Sequence, residues 1–304
     1  MAVLRVMGRT LWYITLLAIL AVVFAYNSVL LSLVATAFNS GAPIPLGFFL
    51  EGALVLVGLS PLGQAVAAWT AGFRPPTPAQ RAHLTALLSD VRARTGYHRP
   101  ITLHVMPTAT VNACALGTRH VALTEGALSL PREEQEAILA HELGHLSGRH
   151  TVMTSSLSLM STAGNWLGWL AGWIGLGIVL GNVISRRRGR RGQGGDGMAL
   201  IAFGIALASV VMTLLVMAMW SVYSRQSEYD ADAFAGRHGY RRELAAALRR
   251  ISPTRFTGKS LTNMVWASHP ATWRRLRRLE HPPTPPRLSA PPPPAPSAPR
   301  VRRF

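Results

Sequence analysis

Apolar residues gather into four long runs, 11–38, 46–70, 157–184 and 198–222, and the polar residues fall between and after them. Each run exceeds the roughly 20 residues that a helix needs to cross the hydrocarbon of a bilayer. Between residues 10 and 70 the only charged side chain is Glu51, and a Gly/Pro-bearing turn at 41–45 separates the first two runs. The second pair of runs brackets a basic loop, 185–197, whose arginines cluster at 186–191. The pattern predicts a multi-pass membrane protein with about four transmembrane helices, two in 1–70 and two in 157–223. A cleaved signal peptide is not expected, because the first run is too long and a second follows it directly.

The polar stretches 71–156 and 224–280 show shorter periodicities and together suffice for one compact domain of about 140 residues. Leu84, Leu87, Leu88 and Val91 recur at helical spacing within 77–95, which stops at Gly96. Segments 101–106, 110–116 and 119–124 read as strands, the last two joined by a turn at Gly117. An apolar-periodic helix follows at 136–146, with Pro131, Glu133 and Glu134 suited to its first turn. The helical pattern of 223–237 meets no break before Gly236, which predicts that the fourth membrane helix runs on into the polar domain. Short helices at 243–250 and 273–279 complete the set, and a Pro/Arg-rich tail, 281–304, is expected to be disordered. The fold class is therefore α+β, a mainly helical domain with a small sheet.

Composition supports the membrane reading, since 49% of the residues are hydrophobic and only 14% charged. The formal charge of +18 raises the question of nucleic acid. The arginines, however, border apolar runs or sit in the tail instead of alternating with stacking aromatics, so anionic lipid headgroups are the expected partner and nucleic acid is not. A single cysteine, Cys114, forbids an internal disulfide and reads as a small strand residue. In the third run Gly164, Gly168 and Gly172 are spaced for close helix packing, with Trp166, Trp169 and Trp173 mostly on another side.

The chemistry lies in His141-Glu142-Leu143-Gly144-His145. Positions i and i+4 of a helix share a face, so His141 and His145 can hold one metal ion while Glu142 borders it, as zinc hydrolysis needs. Catalytic zinc takes three protein ligands. A third histidine in the pattern H-E-x-x-H-x-x-G-x-x-H should fall at 151, which is Thr151, and His150 comes one residue early. The other solution is Glu-x-x-x-Asp on a second helix. Glu228 and Asp232 supply it, the glutamate as ligand and the aspartate supporting a histidine from behind. The bland alternative is a solvated acidic face, but acidic pairs are scarce among 13 carboxylates.

Four motifs in order, Val111-Asn112-Ala113 with Gly117, HELGH at 141–145, SRQSEYDAD at 224–232, and Ser268-His269-Pro270 followed by Arg275, resemble the HtpX-like membrane-integrated zinc metallopeptidases, relatives of the type I CAAX prenyl proteases. The resemblance spans nearly everything but the tail. This chain departs from the pattern in having Cys114 where an aromatic is common, a short turn between its last two strands, and an unusually basic loop at 185–197.

The resemblance implies one Zn2+ held by His141, His145 and Glu228, with Glu142 as general base. It implies Asn112 and Ala113 on an edge strand that an extended substrate pairs with, His269 as oxyanion donor, and Arg275 as a substrate or structural contact. The expected activity is endopeptidase cleavage of membrane or membrane-proximal polypeptides, misfolded membrane proteins among them, in quality control. CAAX-type processing is the nearest alternative. A catalytically silent adaptor has no need of Glu142 beside two ligands, and a transporter would carry more ionisable groups in its spans than Glu51. Arg5, Arg9 and Arg74 flank the first two runs on one side, which predicts a cell-membrane protein with its catalytic domain in the cytoplasm.

Overall fold

The computed structural model describes residues 2–37, 43–149, 151–152, 195–250 and 272–281, with scattered positions between 155 and 181. The third apolar run lies largely outside them. So do the arginines of the basic loop, Ser268-His269-Pro270 and 282–304.

Two apolar helices open the chain, α1 (Ala2–Ala37) and α2 (Pro43–Leu59). They pack so closely that a Cβ on Gly47 would sit 2.1 Å from Ser32 Oγ. Glu51 is fully buried between them and accepts a 2.9 Å bond from Asn27 Nδ2. The second apolar run is not one straight span, contrary to its hydropathy. Ser60 takes an extended conformation and caps a new helix, α3 (Pro61–Thr70), so that the chain bends by 71°. The local cause is Pro61, whose ring disfavours helix at the preceding residue and which has no N–H to continue the ladder.

After α3 comes α4 (Pro78–Thr95), closed at one end by a reciprocal Thr77/Gln80 capping box and at the other by Gly96 at φ 64°. Three strands follow: β1 (Thr102–Met106), β2 (Ala113–Leu116) and β3 (His120–Thr124). Their order is β1-β3-β2, with β1 parallel and β2 antiparallel to the central β3. β2 is shorter than the sequence pattern, because Asn112 spends its backbone and Thr124 its hydroxyl on a bonded corner just before it. The β2–β3 turn passes through Gly117 at φ 61° and is pinned to α3 by Gln64, whose Oε1 accepts from Thr118 N and Oγ1 at 2.9 and 3.0 Å.

A short α5 (Glu125–Leu128) leads into α6 (Arg132–Ser147), the helix of the histidine motif, with Pro131 standing just before its first turn as N-cap. Every residue from Glu134 to Leu146 is buried. α6 is the axis of the domain, packed by α4, β2, α7 (Gly195–Arg237) and α8 (Arg241–Arg250). Leu84, Leu87, Val121, Leu123, Leu139, Leu143, Tyr240 and Leu248 form its core. The last described helix, α9 (Thr272–Glu280), lies on α7 and α8.

α7 is a single 43-residue helix, so the fourth apolar run does continue into the polar domain without a break. The architecture is thus mostly helical with one small three-stranded sheet. Among the described residues one helix, Phe203–Arg237, is long and apolar enough to cross a membrane unaided, and the bent pair Ile44–Leu59 and Pro61–Thr70 adds a second if it counts as one span. Leu17–Leu33 within α1 is a shorter apolar stretch.

Candidate metal centre

α6 and α7 meet where each carries its polar residues. His141 and His145 lie one turn apart on the buried face of α6, and Glu228 faces them from α7 at 2% exposure. Three donors converge. His141 Nε2 and His145 Nε2 are 3.2 Å apart, and the two oxygens of Glu228 lie 3.4 and 3.3 Å from them. Zinc bound tetrahedrally at about 2.0–2.1 Å sets neighbouring donors about 3.3–3.4 Å apart, so the spacing and the donor chemistry both fit that ion. This trio is also the one His/Cys/Asp/Glu cluster of metal-binding geometry among the described residues.

Asp232, one turn beyond Glu228 on α7, stands 3.0 Å from His141 Nδ1. A carboxylate there holds the proton on Nδ1 and leaves the Nε2 lone pair aimed at the centre. Burial opposes ionisation of Asp232, but the Arg275 guanidinium and His141 hold its carboxyl down at about 2. For His141, burial and Arg275 both oppose a charge, yet bonds to Asp232 and Glu228 carry it up to about 9. An ion on Nε2 must displace that proton, which ties metal uptake to pH.

Arg275 reaches this cluster from α9. Its guanidinium bonds both oxygens of Asp232, Nε to Oδ2 at 2.9 Å and an Nη to Oδ1 at 2.7 Å, and its other Nη lies 2.7 Å from Glu228 Oε2. Only 3% of Arg275 is exposed. Arg274, Arg277 and Arg278 are the same residue type, and what singled out Arg275 in the sequence was its place after Ser268-His269-Pro270.

Glu142 is 2% exposed beside His141. Of the other α6 carboxylates, Glu134 is engaged by Arg250 and Glu136 by Arg132, while Glu133 is exposed at the first turn. Asn112 and Ala113 stand where β2 begins, on the strand that packs against α6. Thr124 bonds the backbone of Asn112, so by antiparallel alternation the amide groups of Ala113 and Ala115 point away from β3, to the sheet edge. Ala113 N–H is covered there by Asn112 Oδ1 at 2.9 Å. His269 lies outside the described residues.

Residues 78–283 match peptidase family M48, and this range takes in every element around the centre. The chain belongs to that family. It is 35% identical over 185 residues to a protease HtpX homolog of Aeropyrum pernix, an alignment covering 59% of this chain and 54% of that one. It is 30% identical over 202 residues to a protease HtpX homolog of a Nostoc species, covering 58% and 66%. With protease HtpX of an Enterobacter species it shares 30% identity over 164 residues, 51% of this chain and 53% of that protein. The chain thus spans between half and two thirds of the length of these relatives.

Proposed function

We propose that this chain is a membrane-bound, zinc-dependent endopeptidase that hydrolyses peptide bonds in membrane or membrane-proximal proteins. The observation that carries it is the convergence of His141, His145 and Glu228 at ligand spacing with Glu142 alongside. Zinc, when held by those three side chains, would polarise the scissile carbonyl and acidify the attacking water. Glu142 takes the proton from that water and returns it to the leaving nitrogen. Asp232 keeps His141 in the tautomer that presents Nε2, and Arg275 fixes Glu228 and Asp232. The outward edge of β2 beside α6 suits an extended peptide, whose backbone would pair with the Ala113 carbonyl and the Ala115 N–H, the Ala113 N–H being held by Asn112 Oδ1. His269 is assigned the oxyanion, on the motif Ser268-His269-Pro270.

A site at the end of α7 is tied to a helix apolar enough to span the bilayer, which favours substrates presented at the membrane surface, including misfolded membrane proteins. We assign the catalytic domain to the cytoplasmic side with four crossings in all, on the arginine bias around the first two runs and the length of each run. A cysteine introduced at Gly189, with Cys114 replaced, should then label from outside with an impermeant thiol reagent. Labelling only from the cytoplasmic face would remove the two crossings between His145 and Glu228.

The test of the activity is purified full chain beside its Glu142→Gln variant, assayed for zinc content and for cleavage of an unfolded protein. Wild type should cleave, and the variant should keep its zinc while losing cleavage. Cleavage at the wild-type rate by Glu142→Gln would overturn the mechanism.

A further inference from the structure

α9 has two faces of opposite use. Its buried face holds Arg275, Leu276 and Leu279, and through Arg275 it grips Asp232 and Glu228. Its outer face presents Trp273, 56% exposed, with the guanidinium carbons of Arg274 and Arg277 at 5.1 and 5.6 Å from the indole ring. Among the described residues neither arginine has a carboxylate partner. Arg278 is engaged over Tyr229 and Glu280 with Arg249, so nothing on α9 itself neutralises that triad.

The height of α9 above the membrane follows from α7. The apolar run of α7 ends at Val222, and Glu228, which Arg275 touches at 2.7 Å, is six residues further, about 9 Å of helix. The headgroup layer of a bilayer is about 5–8 Å deep on each side. The contacts of α9 with α7 run from Glu228 to Asp232, about 9–15 Å of helix past Val222, so α9 lies just above that layer. An exposed tryptophan flanked by two arginines with no carboxylate partner among the described residues is the chemistry that such a layer rewards: the indole sits among headgroups while the guanidinium groups bond phosphate oxygens.

We infer that the outer face of α9, Trp273 with Arg274 and Arg277, docks on anionic phospholipid headgroups and thereby holds Arg275 against the carboxylates of the metal centre. The occupant is a lipid surface, selected by charge complementarity with a triad whose two positive charges have no carboxylate partner among the described residues. A nine-residue helix is too short to persist on its own, so its order depends on what packs against each face. The inference rests on the membrane-bound reading above but not on peptidase activity.

The test uses full chain in lipid nanodiscs of phosphatidylcholine, with and without phosphatidylglycerol, read by amide hydrogen exchange of 272–280. Phosphatidylglycerol should slow exchange there by about fivefold for each arginine engaged, with no comparable change in α4. In Arg274→Gln/Arg277→Gln the two lipids should give equal exchange. Equal exchange in both lipids for wild type would overturn the proposal. Protection of 272–280 by inorganic phosphate in phosphatidylcholine discs, as full as that given by phosphatidylglycerol, would overturn it equally, since the triad would then be binding a free anion. Because exchange is read without substrate, a negative result here and a failed cleavage assay are separate outcomes.

Discussion

Gly144 on α6 lies directly against Ala231 on α7, so that a Cβ added at Gly144 would stand 2.9 Å from Ala231 Cα and 3.1 Å from Phe234 Cβ. Both residues sit inside the motifs that supply the metal centre, one residue before His145 and three after Glu228. The missing side chain at Gly144 is what lets the two helices approach closely enough for Glu228 to span both imidazoles.

Gly144→Ala should therefore push α6 and α7 apart. Overpacking of this kind costs about 1–3 kcal/mol, more than the helix propensity gained from alanine. We expect a lower Tm together with sub-stoichiometric zinc in the purified variant. Full zinc content at an undiminished Tm would show that the contact does not set the helix separation.

Glu228→Ala and Asp232→Ala should separate by their effect on metal. The first removes a donor and should leave little zinc after dialysis, whereas the second removes only the support behind His141 and should weaken affinity by roughly 10- to 100-fold. Competition with a chromogenic chelator measures both. Wild-type affinity in Glu228→Ala would require another third ligand.

Arg275→Gln leaves the buried carboxylates of Glu228 and Asp232 with His141 as their remaining cationic partner among the described residues. Breaking a buried ion pair from one side costs about 3–5 kcal/mol. Denaturant unfolding of the zinc-free variant should show a loss of that order, and added zinc should recover part of it by supplying positive charge to the same carboxylates. A zinc-free protein as stable as wild type would show that the clamp is solvated and weak.

His104 on β1 and His120 on β3 stack at 5.2 Å with their ring nitrogens 3.0 Å apart, against Phe73. Burial first, and then the neighbouring His120, hold His104 at about 4. The unfolded chain takes up a proton near pH 6.5 that the folded protein refuses until about pH 4. Stability from this site is whole above about pH 6.5 and is lost as pH falls toward 4. Tm measured across that window should drop less steeply in His104→Gln than in wild type, and parallel curves would assign the acid sensitivity to other groups.

Much of this protein is legible locally. The capping box at Thr77 and Gln80, the αL position at Gly96, the Gly117 turn and the i, i+4 histidines are fixed by residues within one or two helical turns of each other, so sequence spacing determines them. The unbroken passage of α7 from membrane to site is legible for the same reason, since no Gly or Pro falls between Gly204 and Gly236. The 71° bend at Ser60 was local too, but a composition average over 46–70 hides a single Ser-Pro step. The span count read from hydropathy rests on that same average.

What the tertiary structure decided are the relationships between distant residues. Glu228 and Asp232 were nameable from the Glu-x-x-x-Asp pattern, and their convergence on His141 and His145 depends on how α6 crosses α7 at Gly144 and Ala231. Arg275 is one of four arginines within five positions, identical in type to its neighbours. Only the packing of α9 on α7 turns that one inward to Asp232 and leaves Arg274 and Arg277 outside, because burial of Leu276 and Leu279 fixes the rotation of the helix.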